Sequence, residues 1–396
     1  MIPPAPAAPD APFGIYVHIP FCTRICPYCD FNTYAHQEGL IPAYVDALLQ
    51  EITLTGAALG PIAAETIFFG GGTPSLLEPD DIARVVAALR AHFRLPDDAE
   101  VSLEANPEGL EPARLRGLRR AGVNRLSIGV QTLAARGLKV LGRAHKPDVP
   151  ARALAAARAA GFDNISLDFI FGWPGQTLDD WRSDLDAMLA WQPEHLSLYS
   201  LIVEPGTPYQ KAVRRGKLIL PDDDATADMY ELAIDRLAAA GWEHYEVSNW
   251  AREPGLESRH NAIYWRNGQY LGLGAGAHAH LGTRRCSNLR PTAEYIAACR
   301  AGRLPLDFSE SLDEATAIGE TLMLGLRLVR DGVADAAFRA RHGRSLEATF
   351  GPQISELGAL GLLDWDGARL RLTRRGLLLA NDVAARFLPE PAPIAG

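Results

Sequence analysis

Short runs of β-branched and aromatic residues alternate along the chain with amphipathic, alanine-rich stretches. The short runs predict strands, and apolar positions three and four apart in the longer stretches predict helices. The predicted strands cover 14–20, 65–70, 100–104, 125–131, 164–171 and 195–203. The predicted helices cover 41–58, 79–93, 111–120, 149–160 and 177–191. Six βα repeats indicate parallel strands, and therefore an α/β barrel or a partial, open (β/α)6 barrel.

Polar residues fall at corresponding places in successive repeats. Functional residues in α/β barrels collect at the carboxyl ends of the strands. Each of the first five predicted strands has a polar position at or near its end. Cys22 and the segment 71–73 follow the first two strands, Glu104 and Gln131 end the next two, and Asp168 lies within the fifth. Glycines after the second strand would let a ligand approach the main chain. The sequence therefore predicts one binding site at this end of the barrel.

Cys22, Cys26 and Cys29 form a Cys-x3-Cys-x2-Cys cluster on one short loop. Three thiolates can hold three irons of a [4Fe–4S] cluster and leave the fourth iron open for another ligand. A structural zinc ion is the alternative, but it needs four protein ligands. The nearby candidates for a fourth ligand are His18 and His36, neither at the usual spacing. The pattern favours an iron–sulfur cluster.

Composition narrows the class of protein. The chain has 396 residues, of which 47% are hydrophobic, and a net charge of -9. That length suffices for one large and one smaller domain. The negative charge disfavours nucleic acid as a partner, because phosphates require a surplus of Lys and Arg.

Cysteine usage and the absence of targeting signals bear on location. Five cysteines, three of them crowded together, do not form a secreted disulfide framework, so we expect Cys286 and Cys299 to be reduced thiols. The first ten residues lack the basic and apolar parts of a signal peptide. No apolar run approaches the roughly 20 residues that span a bilayer. We expect a soluble, cytoplasmic protein, an expectation compatible with transient association with membrane proteins.

The cysteine loop and the glycine-rich segment carry a family resemblance. Cys-x3-Cys-x2-Cys followed by Phe-Phe-Gly-Gly-Gly-Thr-Pro over 68–74 resembles the radical S-adenosylmethionine (SAM) superfamily. Tyr-Val-His-Ile-Pro-Phe-Cys from Tyr16 and Cys-Pro-Tyr-Cys-Asp-Phe-Asn-Thr-Tyr from Cys26 are similar to the branch related to oxygen-independent coproporphyrinogen III oxidase. The resemblance implies that the open iron binds the amino and carboxylate groups of SAM. It also implies reductive cleavage of SAM to a 5′-deoxyadenosyl radical.

The same resemblance implies a set of SAM contacts. The matching positions are Tyr16, Tyr28, Gly71, Gly72, Thr73, Glu104, Gln131, Arg143 and Asp168. Structural alternatives exist for each type of residue. The two carboxylates could cap or pair at strand ends, the arginine could be a solvated charge at a helix end, and the glycines could serve a tight turn. Their joint order behind the cysteine loop favours the functional interpretation.

A second motif, His-Asn-Ala-Ile-Tyr-Trp, begins at His260. A neutral histidine can ligate haem iron while aromatic rings cover the porphyrin, here Tyr264 and Trp265. A polar corner that packs one domain on another is the alternative. His-Asn-x-x-Tyr-Trp resembles a motif of HemW-type haem chaperones within this branch. That resemblance implies that His260 is the haem ligand.

Two functions follow from the resemblance. The first is a haem chaperone that binds haem and passes it to an acceptor protein, with a [4Fe–4S] cluster and exchangeable SAM. The second is oxidative decarboxylation of coproporphyrinogen III. The decarboxylating relatives carry a further cysteine two residues after the third, where this chain has Phe31. This departure favours the chaperone.

The segment 272–280, Gly-Leu-Gly-Ala-Gly-Ala-His-Ala-His, does not have the Gly-x-Gly-x-x-Gly order of a Rossmann site. Two interpretations remain open. It could approach the cavity, with His278 or His280 as a secondary ligand or propionate partner, or it could be a packed turn.

The C-terminal third is predicted to form a separate, winged-helix-like domain. Helices are followed by two apolar strands around Asp366-Gly367, a hairpin signal. Arg369, Arg371, Arg374 and Arg375 give the hairpin region a positive patch, yet overall acidity argues against DNA binding. By resemblance, the domain is expected to cover the cavity. The predicted division is a disordered tail 1–12, a barrel 13–245, a connecting segment with the haem motif 246–304, the C-terminal domain 305–388 and a disordered tail 389–396.

Overall fold

A curved, mostly parallel sheet wrapped by helices dominates the computed structural model, which describes residues 12–389. The strands, in chain order, are β1 (Phe13–Ile19), β2 (Phe21–Cys22), β3 (Tyr34–Ala35), β4 (Thr66–Gly71), β5 (Glu100–Ala105), β6 (Arg125–Gln131), β7 (Ile165–Phe171), β8 (His195–Ser200), β9 (Glu243–Glu246), β10 (Asn249–Ala251), β11 (Gln269–Leu273), β12 (His278–Leu281), β13 (Arg284–Asn288), β14 (Leu306–Ser311), β15 (Val333–Ala334), β16 (Leu363–Trp365) and β17 (Arg369–Leu372).

The helices follow the strands in the predicted alternation. In chain order they are α1 (Ile41–Leu59), α2 (Pro79–His92), α3 (Pro112–Arg120), α4 (Ala135–Val140), α5 (Val149–Ala159), α6 (Leu178–Trp191), α7 (Pro208–Arg214), α8 (Asp223–Ala239), α9 (Arg259–Trp265), α10 (Thr292–Arg300), α11 (Glu314–Gly325), α12 (Asp335–His342), α13 (Leu346–Ala359), α14 (Arg374–Leu378) and α15 (Ala380–Ala385). Gly122, Gly161 and Gly241 have φ of 101°, 89° and 80° after their helices, because glycine enters the left-handed region without a Cβ clash.

The six predicted strands form the parallel part of the main sheet, in the order β1-β4-β5-β6-β7-β8. A further parallel strand, β11, pairs with the free side of β1, although the sequence did not indicate it. Antiparallel strands β12 to β14 continue the sheet beyond β11, and β10 and β9 continue it beyond β8. The sheet is therefore a partial (β/α)6 barrel with added edges, as the fold class predicts.

Side chains along the strands alternate between an apolar layer beneath the helices and the polar interior of the barrel. In β6, Leu126, Ile128 and Val130 are fully buried among the helices, whereas Arg125 and Ser127 line a cavity inside the barrel. Successive side chains of a strand point to opposite faces of the sheet. The hydrophobic core thus lies between sheet and helices, and the barrel interior is left for polar groups.

The C-terminal region contains helices α11 to α15 and the three-stranded sheet β15-β17-β16. The predicted hairpin at Asp366-Gly367 connects β16 and β17. Arg374 pairs with Asp235 of α8, and Arg371 pairs with Asp366, so these charges of the predicted positive patch are engaged. The patch is consequently more neutral than the sequence suggests.

The main sheet crosses the predicted domain boundary at residue 245, because β10 and β11 belong to it. The domain division itself stays a prediction. The two predicted tails lie outside the described residues except for Pro12 and Pro389. Within 12–389, none of the helices combines the length and the apolar character that crossing a bilayer requires.

Candidate functional site

A cavity of about 550 Å³ opens at the carboxyl ends of the parallel strands. It is lined by most of the residues that the sequence assigned to the cluster and to SAM, namely Cys22, Cys26, Tyr28, Cys29, Gly71, Gly72, Thr73, Glu104, Gln131, Arg143 and Asp168. Of the predicted SAM contacts, Tyr16 does not line it. The fold thus brings together residues spread over almost 150 positions of the chain.

The cysteine loop is held against the glycine-rich segment by main-chain hydrogen bonds. Gly72 donates to the Ile19 carbonyl at 2.8 Å, and Thr73 donates to the Phe21 carbonyl at 2.8 Å. A Cβ on Gly72 would lie 2.6 Å from the Phe21 carbonyl oxygen, so a larger residue does not fit. The glycines therefore position the first cysteine as well as opening the main chain to a ligand.

The three thiols are free and partly exposed to the cavity. Thr73 Oγ1 donates to Cys22 Sγ at 3.5 Å, and Arg143 Nη1 donates to Cys26 Sγ at 3.5 Å. Burial raises the pKa of the Cys22 and Cys29 thiols. The contacts of Thr73 and Arg143 supply hydrogen-bond donors to two of the sulfurs, and such donors tune a cluster bound through thiolates.

The thiols share this cavity without converging on one point. Within residues 12–389, no three His, Cys, Asp or Glu side chains stand close enough together to hold a single metal ion. A zinc ion would draw its sulfur ligands to about 2.3 Å from one centre. Three sulfur donors are one fewer than the four ligands of a structural zinc ion, whereas three thiolates suffice for a [4Fe–4S] cluster with one open iron.

Arg143 joins the cysteine loop to two strand ends. Besides Cys26, it contacts the Gly129 carbonyl at 3.1 Å and the side chain of Asn106. Asn106 in turn donates to Thr73 Oγ1 at 3.3 Å. Arg143 is therefore not a solvated charge at a helix end. Asn106 was not among the residues predicted from the sequence, although its place two residues after Glu104 was a usable signal.

Two carboxylates lie deeper in the cavity. Glu104 accepts from the Gly71 main chain at 3.1 Å, and Asp168 accepts from Ser127 Oγ at 2.8 Å. Burial, and secondly the charge of Asp168, raises the pKa of Glu104 to about 7. Burial also raises the pKa of Asp168. Each carboxylate keeps acceptor capacity that a ligand could use.

Arg125 is a cavity residue that the sequence analysis did not identify. Its side chain is 2% exposed and lines the cavity, and within the described residues its Nε has no hydrogen-bond partner. Its charge lowers the pKa of both Glu104 and Asp168 against the larger effect of burial. An arginine at the start of an otherwise apolar strand was the available signal.

Gln131 and Tyr16 occupy different settings. Gln131 has φ of 67° at an irregularity in the pairing of β6 with β7, a distortion that turns a side chain at a strand end. Tyr16 lies one layer below the opening, where its hydroxyl is 3.0 Å from His18 Nδ1. Through His18, whose Nε2 lies 2.9 Å from the Asn32 carbonyl oxygen, Tyr16 is connected to the segment that follows the cysteine loop.

The His-Asn-Ala-Ile-Tyr-Trp motif lies at the opposite end of the barrel. It forms α9, whose first main-chain amides, those of Arg259 and His260, donate to the Glu100 carboxylate at 3.0 and 3.1 Å. Glu100 begins β5 and Thr66 begins β4, so α9 closes the amino-terminal ends of these strands. We call α9 with Glu100 and Thr66 the barrel floor.

The structure does not present His260 as an open metal ligand. Its Nδ1 lies 2.7 Å from Thr66 Oγ1, its Nε2 lies 2.8 Å from the Tyr264 hydroxyl, and the side chain is 1% exposed. Burial lowers the pKa of His260 to about 3, which keeps the imidazole neutral. Ligation of haem iron by His260 would therefore require a change of conformation that breaks at least one of these hydrogen bonds.

The aromatic residues of the motif pack against protein. The Tyr264 ring lies 4.6 Å from that of Tyr270, and the Arg327 guanidinium lies 4.4 Å from the Trp265 ring. The second interpretation of the sequence, a polar corner between two parts of the fold, describes this arrangement. Trp265 and Arg327 join the barrel floor to the C-terminal region.

The expected cover over the cavity is wrong for this structure, and of the two interpretations of the segment 272–280 the packed turn describes it. None of the residues 305–388 lines the cavity, because the C-terminal region packs beside α8 and α9. His278 and His280 are not cavity residues either. The segment 272–280 comprises the end of β11, a packed turn and most of β12, and in the turn the Gly274 amide donates to Glu51 at 2.8 Å.

Comparison with known proteins agrees with the geometry. Residues 16–188 match the radical SAM superfamily, and residues 312–379 match the HemN C-terminal domain. The solved structure of coproporphyrinogen III oxidase (HemN) from Escherichia coli is similar, with a TM-score of 0.81 and 25% identity over 96% of this chain and 91% of that chain.

Curated relatives match over nearly the whole chain. The chain is 43% identical over 383 residues to the heme chaperone HemW of Mycobacterium tuberculosis, covering 96% of each chain. It is 40% identical over 376 residues to the heme chaperone HemW of Bacillus subtilis, covering 95% of this chain and 99% of the relative. The chain therefore belongs to the HemW family within the radical SAM superfamily.

Proposed function

We propose that this protein is a haem chaperone that carries a [4Fe–4S] cluster and exchangeable SAM. The observation that carries the proposal is the gathering of three free thiols and the matched SAM positions around one cavity. Family membership supports the haem function, since the similar proteins are named heme chaperones. We further propose that it acts in the cytoplasm and passes haem to an acceptor protein.

Cys22, Cys26 and Cys29 would hold the cluster, with Arg143 and Thr73 donating hydrogen bonds to two of the sulfurs. Glu104, Gln131 and Asp168 would bind polar groups of SAM. Bound together, cluster and SAM supply reductive cleavage of a sulfonium bond. The protein's own part is to orient SAM by these contacts and to limit its exposure to water.

Coproporphyrinogen oxidation remains the competing function, because most of the proposed SAM contacts line the cavity and the fold is close to that of HemN. Phe31 stands where the decarboxylating relatives have a cysteine, which favours the chaperone. His260 is proposed as a haem ligand only in a conformation that opens the barrel floor.

Anaerobic reconstitution of the cluster followed by two parallel assays tests the proposal. Haem is titrated into the protein by absorbance and then offered to apomyoglobin as a general acceptor. Coproporphyrinogen III is supplied to a second sample with SAM and reductant, and protoporphyrinogen and 5′-deoxyadenosine are measured. We expect stoichiometric haem binding and no protoporphyrinogen. Protoporphyrinogen formed together with 5′-deoxyadenosine, or absence of haem binding, would overturn the proposal.

A further inference from the structure

Arg125 is a buried cation that the described part of the chain leaves unpaired. It begins β6, is 2% exposed and lines the deep part of the cavity, and its Nε has no hydrogen-bond partner within residues 12–389. Glu104 and Asp168 are near enough for its charge to lower their pKa against the larger effect of burial, yet they accept their hydrogen bonds from other groups. A buried charge is costly unless it is paired, so an anion beside Arg125 would be stabilised.

A second buried polar group next to Arg125 also has no partner. Ser102 of β5 is paired in register with Arg125 on the neighbouring parallel strand, so the two side chains lie on the same face of the sheet. The Ser102 hydroxyl is fully buried and, among the described residues, is without a hydrogen-bond partner. Buried donors normally have an acceptor, and a carboxylate offers two oxygens that only accept. The inner face of the sheet at this level therefore suits a carboxylate ligand.

One aromatic ring lies between this part of the cavity and the haem motif. Phe68 lines the cavity, and its ring is stacked on that of His260 with 5.1 Å between the ring centroids. Asn261, the next residue of α9, lines the cavity itself. Burial first, and then the charge of Arg125, lowers the pKa of His260, so the guanidinium lies near this imidazole. A haem ring that displaced Phe68 to reach His260 would have its edge close to Arg125.

We propose that Arg125 binds a propionate of the haem whose iron His260 ligates. The inference rests on the proposed haem function and names the group that orients the ring at that site. Haem carries its propionates on one edge, and a guanidinium can pair with a carboxylate through two parallel hydrogen bonds. SAM also has a carboxylate, but in the proposed function that group binds the open iron at the cysteine loop. Arg125 is thus a positioning residue for haem.

Comparison of haem with its dimethyl ester, in which both propionates are blocked, tests the proposal. Absorbance titration of the reconstituted protein gives the affinity for each compound. The wild-type protein should bind haem about ten-fold more tightly than the ester, which is the effect of one charged hydrogen-bonded pair. Arg125→Gln should bind both compounds equally, and Arg125→Lys, which keeps the charge, should retain part of the preference. The haem absorption band should stay in place, because the axial ligand is unchanged.

Arg24→Gln is the matched control, because Arg24 lines the same cavity at the cysteine loop and is exposed. This variant should keep the full preference for haem over the ester. Loss of the preference in Arg24→Gln instead, or equal affinity of the wild-type protein for the two compounds, would overturn the inference. Failure of the wild-type protein to bind haem at all would refute the proposed function itself.

Two further measurements separate propionate binding from other roles of Arg125. SAM affinity, measured by equilibrium dialysis, should be unchanged in Arg125→Gln. Weaker SAM binding with a retained preference for haem would assign the guanidinium to SAM and overturn the inference. The urea midpoint of ligand-free Arg125→Gln should equal or exceed that of the wild-type protein, because an unpaired buried charge is removed. A lower midpoint with an unchanged haem preference would show that Arg125 is structural instead.

Discussion

The two ends of the barrel both contain buried polar side chains, but these are partly without partners at the open end and hydrogen-bonded by the protein at the floor. At the open end, the thiols border a cavity, and within the described residues Nε of Arg143 has no partner. At the floor, His260 and Glu100 are buried with their hydrogen bonds made by the protein. A motif therefore indicates a kind of chemistry, but its partners decide whether a side chain is available to a ligand.

The difference has a physical cause. A buried polar group is costly unless it is hydrogen-bonded, so the protein must supply partners wherever no ligand does. At the floor, α9 closes the strand ends, and the protein supplies partners to His260 and Glu100. The open end keeps donors and thiols that a cofactor can satisfy, and this is why it is the better candidate for cofactor chemistry.

The largest expected effect tests the open end. Replacing Cys22, Cys26 and Cys29 by alanine should abolish the visible absorption of the reconstituted cluster, because no thiolates remain to bind iron there. Cys286→Ala and Cys299→Ala are controls, since both cysteines are buried away from the cavity. Retention of the cluster spectrum in the triple variant would contradict the assignment.

Glu51 is a buried carboxyl group that lies away from both ends of the barrel, so it shows the effect of burial without that of a ligand site. Burial raises the pKa of Glu51 to about 7 from its ordinary value of 4.5. A raised pKa in the folded state means that its stabilising contribution is complete below about pH 4.5 and is lost as the pH rises through 7. The stability of Glu51→Gln relative to wild type should therefore increase by about 2.5 kcal/mol between pH 5 and pH 8.

Urea unfolding of both proteins at the two pH values measures this difference, in which other titrating groups cancel. A difference that does not depend on pH would show that Glu51 keeps an ordinary pKa. Glu51 accepts from Gly274, Asn288 and Tyr295, so its partners come from the protein, as those of His260 do.

The smallest expected effect is measured with the same substitution, threonine to valine, at each end of the barrel. Thr66→Val removes the hydroxyl that contacts His260 Nδ1 and should lower the free energy of unfolding by about 1–3 kcal/mol, because a buried ring nitrogen is left without a partner. Thr73→Val at the open end should change it by less than about 0.5 kcal/mol but alter the cluster spectrum. Equal losses of stability would remove the distinction between floor and opening.

Local patterns were enough for most of the barrel. Periodicity located the six parallel strands and the helices between them, because each element needs one apolar face and ends at recognisable residues. The place of β11 beside β1 was not predictable, since no local signal says which sheet edge a distant strand will join. Asn106 and Arg125 were missed for a similar reason, because their role depends on neighbours from other strands.

By itself, the sequence determined the βα repeat, the three-thiol loop and the polar positions at the strand ends, all of which depend on short-range spacing. Only the tertiary structure decided that the His260 motif closes the floor, that the C-terminal region packs beside it and that Phe31 lines the cavity. These outcomes depend on which distant surfaces meet. Burial and hydrogen bonding between segments far apart in the chain leave no periodic trace in either segment.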